Sequence, residues 1–301
     1  MAADAAATSC DADPGARETR PDGAGPRPTL GRMSLPAPAP DRTAVVTGAS
    51  SGIGAEIARQ LARRGHGVTL VARSVSKLEA LAEELRAEGV RAEVIAADLT
   101  DRGARAGLLG AIKARGLSVE ILVNNAGLST LGPVAASDPE AEMAMVELDV
   151  VAVVDLCSRF LPGMVQRGRG AVLNVASTAA FQPLPGQAGY GAGKVFVLSY
   201  TQSLAGELKG TGVTATTLCP GPVETGFGER AGFTDEEAKA ALPPVMWVSA
   251  AEVARVAVEG LDKGRLVVIP GAANRVAAAV SQVTPRTLLL PFLTKSHPGL
   301  R

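Results

Sequence analysis

From Arg42 onward, short apolar runs alternate with longer stretches whose apolar residues recur at helical spacing. Residues 43–47 (TAVVT), Val68–Ala72 (VTLVA), 91–97, 121–124 (ILVN), 171–175 (AVLNV), Val213–Leu218 and 266–269 (LVVI) read as strands. Between them, residues 52–64, 75–88, 101–115, 138–167, 187–209 and 249–262 read as helices, the fourth stretch holding one or two with Pro162 near a late turn. Gly65 and Gly89 close two of these helices. The strands are largely continuous in apolar character, as strands covered on both faces are. Strand-then-helix order implies right-handed crossovers and a parallel sheet. The expectation is an α/β fold, a Rossmann-like doubly wound parallel sheet of about seven strands, in a single domain over residues 42–270.

The flanks differ. Residues 1–41 are rich in Ala, Pro, Gly and Asp, have no hydrophobic period and read as a disordered tail. Met33 offers an alternative start, which would make the first 32 residues an extension. Residues 271–301 read as a C-terminal helical extension. Within it, Thr287-Leu288-Leu289-Leu290-Pro291-Phe292-Leu293 is apolar but far too short to span a bilayer. A subunit contact is the expectation for it, a membrane surface the alternative.

Composition narrows the function. Among 301 residues, 30 basic and 30 acidic side chains give no net charge, and aromatics are 3%. That lacks both the basic footprint and the stacking platforms of a nucleic-acid binder. Cys10, Cys157 and Cys219 are odd in number and widely spaced, and His66 and His297 lie far apart, so neither a disulfide framework nor a metal site is expected. No apolar run reaches membrane-spanning length, and the N-terminus lacks a signal's basic start and apolar core. A cytoplasmic location is expected.

In an open parallel sheet, ligands sit beyond the carboxyl ends of the strands, where the strand order switches. After the first strand stands Thr47-Gly48-Ala49-Ser50-Ser51-Gly52-Ile53-Gly54. Gly48 allows a tight turn, Gly52 lets backbone approach a phosphate, and Gly54 lets helix and strand pack closely. The helix that follows turns its free N–H groups toward a pyrophosphate, with Ser50, Ser51 and Ile53 beside it. At the end of the second strand, an acidic residue for a ribose hydroxyl is replaced by Arg73, whose guanidinium can pair with a 2′-phosphate; the alternative is a solvated surface arginine. NADP(H) is therefore the expected cofactor. Asp98 could accept a bond from an adenine amino group, with Leu99 against the ring, or simply cap the next helix.

Tyr190 and Lys194 stand four apart and share a helix face, and Ser177 follows the fifth strand. A lysine ammonium favours the phenolate and is expected to lower the phenol's pKa, so that Tyr190 can exchange a proton nearer neutrality. Ser177 can hydrogen-bond a substrate oxygen.

Taken together, residues from about 43 to 270 resemble the short-chain dehydrogenase/reductase family. The residues that carry the resemblance are the 47–54 glycine turn, Asp98, the Asn124-Asn125-Ala126-Gly127 run, Ser177, Tyr190, Lys194 and the 220–225 run PGPVET, with 13 residues from Ser177 to Tyr190. The resemblance implies that Ser177 orients a carbonyl, Tyr190 transfers the proton, and Lys194 also holds the nicotinamide ribose. It implies that Asn124, Asn125, Ala126 and Gly127 support the cofactor and the central strand. Pro220, Gly221, Val223 and Thr225 would contact the nicotinamide, Thr225 near its carboxamide. Family members commonly pair through helices, so a homodimer or homotetramer is expected.

One departure bears on the chemistry. Where the family usually carries an asparagine that helps hold a proton-passing water, this chain has Asp149, in Glu147-Leu148-Asp149-Val150. Asp149 joins Ser177, Tyr190 and Lys194 as a catalytic candidate, with reduced turnover expected because an anion there would favour the ammonium and blunt its effect on Tyr190. Gly193 stands where the family often has serine. Residues 223–248, with Phe227, Phe233, Met246 and Trp247, would cover a hydrophobic or medium-sized carbonyl substrate or merely pack a lid. Pro183-Leu184-Pro185 would form another wall. The reading is an NADP-dependent oxidoreductase; the alternative, motivated by Asp149, is an NADP-binding regulatory or scaffold protein with weakened catalysis.

Overall fold

Seven strands hydrogen-bond side by side in the order β3-β2-β1-β4-β5-β6-β7, and every pairing is parallel. The strands are β1 (Arg42–Thr47), β2 (Val68–Ala72), β3 (Ala92–Ala96), β4 (Ser118–Asn124), β5 (Gly170–Val175), β6 (Val213–Leu218) and β7 (Val267–Val268). The computed structural model describes residues 35–230, 232, 234, 242–296 and 298–300. Cys10, Met33, Phe233 and His297 lie outside the described residues.

The helices are α1 (Gly52–Ala62), α2 (Val75–Ala87), α3 (Arg102–Lys113), α4 (Pro139–Val146), α5 (Ala152–Gln166), α6 (Ala188–Glu207), α7 (Phe227–Arg230), α8 (Ala250–Asp262), α9 (Ala272–Val283) and α10 (Arg286–Ser296). Period-two geometry splits the strands' side chains between two cores. Ala44, Val46, Ile121, Val123 and Leu173 pack under α1, α2 and α8 with Ile57, Leu61, Leu78, Val253 and Ala257. Val45, Leu122 and Val172 pack under α3, α5 and α6 with Ile112, Leu156, Phe160 and Val197. The strand order turns back between β1 and β4, which opens a crevice at their carboxyl ends.

The structure departs from the sequence pattern at residues 35–41 and adds detail to two stretches read as helical. Residues 35–41 are not a free tail. The Leu35 amide donates to Asp262 Oδ1 at 3.0 Å, Leu35 packs on the α1/α8 core, and Arg42 donates to the Ala37 carbonyl at 2.9 Å. A composition of Ala and Pro hides this docking, because one leucine carries the apolar contact. The stretch 138–167 is two helices joined by a wider π turn, Glu147–Val151, closed by Ala152 N–H to the Glu147 carbonyl; Pro162 lies inside α5. Residues 271–301 hold two helices, α9 and α10, and a short 3₁₀ turn at Pro298–Leu300.

The π turn is braced by a buried cation. Arg105, 2% exposed, donates to Glu147 Oε1 at 2.6 Å, to Asp155 Oδ2 at 2.9 Å and to the Leu99 carbonyl at 2.7 Å. It thereby ties α3 to both sides of the turn. Arg105→Ala removes the buried partner of Glu147, Asp155 and the Leu99 carbonyl, leaving Asp155 with Arg159, and is expected to cost about 3 kcal/mol, read as a fall in the urea midpoint. Arg255→Ala, which removes ion pairs to Glu252 and Glu259 on the open face of α8, is expected to leave the midpoint unchanged.

Candidate active site

The crevice begins with the glycine turn between β1 and α1. Gly48 and Gly52 adopt φ of +66° and +57°, which side chains other than glycine disfavour. A Cβ on Gly48 would lie 2.8 Å from Asn125 Nδ2, and one on Gly52 would lie 2.9 Å from the Thr225 side chain. A Cβ on Gly54 would strike Asn125 Nδ2 and the Gly48 carbonyl. Thr47 Oγ1 accepts from the Asn125 and Ala126 amides at 2.9 and 3.0 Å, while Asn125 Nδ2 donates to the Thr47 carbonyl at 2.9 Å. This clasp fixes the ends of β1 and β4 together beneath the crevice. Ser51, the residue before α1, makes no side-chain cap, so the first amides of α1 keep their donors.

These residues line one cleft of about 800 Å³. Gly48, Ser50, Ser51, Gly52, Ile53, Arg73, Asp98, Leu99, Asn125, Ala126, Gly127, Ser177, Tyr190, Lys194, Pro220, Gly221, Val223 and Thr225 all face it. Gly54 does not; it sits beneath the turn, where the clasp needs its missing side chain. Asp149 does not either, and lies behind Lys194. Asn124 is also set back, donating to Asn174 Oδ1 at 2.8 Å, while Asn174 donates to Thr201 at 2.9 Å, which links β4, β5 and α6.

At one end of the cleft, Arg73 is 68% exposed and 3.9 Å from Asp98 Oδ2. Asp98 Oδ1 accepts from the Thr100 amide and hydroxyl at 3.0 and 2.8 Å, and these bonds hold the carboxyl below its usual range. Asp98 is not the cap of α3. Asp101 is, accepting from the Ala104 amide at 2.6 Å. Ser74 and Lys77 line the same end and escaped the sequence reading; Lys77 lies in the first turn of α2, four residues after Arg73.

At the other end, Tyr190, Lys194 and Ser177 converge. Lys194 Nζ lies 5.4 Å from the Tyr190 ring centre and donates to the Val175 carbonyl at 3.3 Å. Ser177 Oγ accepts from the Ala179 amide at 3.1 Å and lies 3.5 Å from the Pro220 carbonyl. The strongest partner of Lys194 is Asp149, with Nζ to Oδ2 at 2.9 Å. Asp149 Oδ1 accepts from the Leu128 amide at 2.7 Å. The π turn aims this carboxylate inward, and Gly127 leaves room for it: a Cβ there would lie 3.3 Å from Asp149 Oδ1 and 3.5 Å from Lys194 Nζ. Gly193 has no such steric reason, since a Cβ would lie at an ordinary 3.4 Å from Val150.

The electrostatics reverse one sequence expectation. Burial alone would lower the Lys194 ammonium, but Asp149 and Tyr190 hold it above its ordinary value. Burial pushes the Tyr190 phenol up, against the pull of Lys194, and the Asp149 carboxylate adds to the upward push. The phenol is therefore raised, not lowered, because burial outweighs the pull of Lys194 and Asp149 adds to it. Burial likewise pushes the Cys157 and Cys219 thiols up to about 11 and about 12, so neither is a nucleophile near neutrality. Among the described residues no cluster could hold a metal, and no helix is long and apolar enough to cross a membrane.

The walls above Tyr190 come from distant segments. The Phe227 ring centre lies 6.0 Å from that of Tyr190, and Leu184, Pro185, Met246 and Trp247 complete an apolar rim. Pro183 does not face the cleft. Leu293 of α10 reaches in from the far C-terminus, and no sequence signal pointed to it. Asn274 of α9 donates to the Met246 and Pro270 carbonyls at 2.9 and 3.0 Å and packs on Gly221, where any side chain would collide with it. Ser281 donates to Gln182 Oε1 at 2.9 Å. Thus α10 contributes Leu293 to the cleft wall and α9 braces that wall from behind.

Comparison with known proteins agrees with this geometry. The family model described as short chain dehydrogenase matches residues 42–235. A short chain dehydrogenase of Pseudocercospora fijiensis is 37% identical over 205 residues, which are 65% of this chain and 66% of that protein. Among solved structures, a short-chain dehydrogenase from Sphingobium yanoikuyae in complex with NADPH superposes with a TM-score of 0.71 at 37% identity, covering 83% of this chain and 95% of that one. Actinorhodin polyketide ketoreductase with NADPH gives a TM-score of 0.67 at 32% identity, covering 76% and 95%. The matched stretch runs through β1–β6 and carries the glycine turn, Ser177, Tyr190 and Lys194, and on this footing the chain belongs to the short-chain dehydrogenase family.

Proposed function

We propose that the protein is an oxidoreductase that moves a hydride between NADP(H) and a carbonyl or alcohol carbon of a hydrophobic small molecule. The observation that carries this reading is the convergence of Ser177, Tyr190 and Lys194 at one end of a cleft whose other end presents Arg73 and Lys77. The residues fit the cofactor. The glycine turn leaves backbone where a side chain would intrude, the first amides of α1 are uncapped, and Arg73 is only loosely engaged at 3.9 Å. Two solved relatives described as complexes with NADPH support the choice of cofactor. Arg73, Lys77 and Ser74 would hold the 2′-phosphate, and Asp98 Oδ2 would meet the adenine amino group beside Leu99. The cofactor, when bound, supplies or accepts the hydride.

The chain's own residues handle orientation and the proton. Ser177 Oγ donates to the substrate oxygen and fixes it beside Tyr190. Tyr190 Oη gives its proton to that oxygen in reduction and takes one in oxidation. Lys194 holds positive charge beside the phenol, and Asp149 keeps that charge in place while tempering its pull. Asp149 touches neither cleft nor substrate, so it is a positioning residue. Phe227, Met246, Trp247 and Leu293 exclude water and favour an apolar substrate body. Exposed Met143, Val195 and Phe196 on α4 and α6 support assembly into a homodimer or homotetramer. The Asp149–Lys194 pair also favours a second reading, an NADP-binding regulatory or scaffold protein with weakened catalysis.

Consumption of NADPH with a panel of apolar ketones and aldehydes separates the two. Turnover that falls by roughly 10²–10⁴ in Tyr190→Phe, with NADPH binding retained, is expected for the enzyme. NADPH binding with no turnover on any panel member would mark the second reading. Arg73→Ala is expected to weaken NADPH roughly 10–100-fold and NADH by less than about twofold in a direct binding titration. Equal losses for both would remove the 2′-phosphate assignment.

The pH profile follows from the raised phenol. Reduction needs Tyr190 protonated, so its rate should hold through neutral pH and fall only at high alkalinity; oxidation needs phenolate and should rise toward the same region. Asp149→Asn removes an anion that raises the phenol, so both limbs are expected to move to lower pH and the neutral-pH rate of oxidation to increase. An unchanged profile and an unchanged rate would show that Asp149 does not act on Tyr190.

A further inference from the structure

Of the 16 large apolar side chains exposed among the described residues, six lie on α9 and α10: Val276, Val280, Val283, Leu288, Leu290 and Phe292. On α9, Val276, Val280 and Val283 fall on one stripe at helical spacing, opposite the buried Asn274, Ala278 and Ser281. On α10, Leu288 and Phe292 stand one turn apart at 69% exposure each, with Lys295 on the same face. Two features say what this surface would meet.

The first is charge. From Lys263 to the C-terminus the chain holds Lys263, Arg265, Arg275, Arg286, Lys295 and Arg301 and no acidic residue, although the whole chain balances 30 against 30. A second copy related by a two-fold axis would set this patch against itself, cation to cation, with no carboxylate to pair. Arg275 on α9 and Lys295 on α10 are the cations that this face would present to an anionic surface. The second is helix stability. α10 has 11 residues with Pro291 inside, which removes a backbone donor; Leu293 and Arg286 anchor its inner side on the fold, and its outer side, with Leu288 and Phe292 each 69% exposed, gains from a second surface to lie on.

We propose that α9 and α10 dock on an anionic lipid bilayer surface, with the valine stripe, Leu288 and Phe292 entering the headgroup boundary and Arg275 and Lys295 meeting lipid phosphates. Leu293, on another side of the same α10, lines the cleft. The docking does not rest on the hydride-transfer reading.

Cosedimentation of the full chain with vesicles tests it, using phosphatidylcholine alone and phosphatidylcholine mixed with phosphatidylserine. Binding to the mixed vesicles is expected, with little to phosphatidylcholine alone and release at high salt. The double substitution Leu288→Ser, Phe292→Ser should lower the partition coefficient at least about tenfold, and Lys295→Glu at least about fivefold. Because these side chains are exposed, the variants should keep the wild-type circular dichroism spectrum. Absence of binding, binding indifferent to lipid charge, or binding untouched by the substitutions would overturn the proposal. So would substitutions that instead reduce the mass in sedimentation equilibrium without lipid, which would assign the face to a second copy.

Discussion

A lysine ammonium and an aspartate carboxylate 2.9 Å apart, 5% and 2% exposed, stand at the centre of this protein's site. Neither charge could stay buried alone, since desolvation of a single ion costs several kcal/mol or shifts its protonation. Each therefore requires the other, and the pair constrains what surrounds it. Asp149 must point inward, which the π turn between α4 and α5 achieves by adding a residue to one helical turn. Its second oxygen must be satisfied, which fixes the Leu128 amide and with it the exit of β4. Glycine at 127 suits the pair, because a Cβ there would press on the Asp149 carboxylate at 3.3 Å and lie 3.5 Å from Lys194 Nζ. Arg105 braces the turn from the other side through Glu147 and Asp155.

The same pair sets the character of the chemistry. A free ammonium beside a tyrosine would favour phenolate; here the ammonium is shared with an anion, and burial leaves the phenol above its ordinary value. Tyr190 thus keeps its proton through neutral pH, which in the proposed hydride transfer suits donation to a carbonyl oxygen more than abstraction from an alcohol. The rest of the fold positions this cluster. The clasp from Thr47 to Asn125 closes the crevice floor, and Asn274 and Ser281 of α9 brace its wall from behind.

The fold was readable because each strand is a short apolar run between helical periods and each glycine of the turn has a separate backbone reason. Ser177, Tyr190 and Lys194 were readable because they follow strand ends or share a helix face. What escaped had no local signal. Leu35 docks through one contact in a segment whose composition resembles a linker. Asp101 and Asp98 are equally good caps by residue type, and only the path of the chain decides between them. Lys77 and Leu293 enter the cleft through helix orientation and tertiary packing. The sign of the Tyr190 shift was missed for a related reason. A lysine four residues away is visible in the sequence, whereas the depth of burial and the second charge behind it belong to the folded arrangement.

The central claim is that Asp149 and burial together outweigh Lys194 at the Tyr190 phenol. It can be read without substrate or cofactor by following phenolate absorbance with pH, since the chain has only two tyrosines, Tyr190 and Tyr200, and both phenols are pushed up. Phenolate is expected to appear only above the ordinary tyrosine value of about 10, and a single tyrosine's share of the signal to move to lower pH when Asp149 becomes asparagine. Phenolate appearing in the wild-type protein well below that value would contradict it.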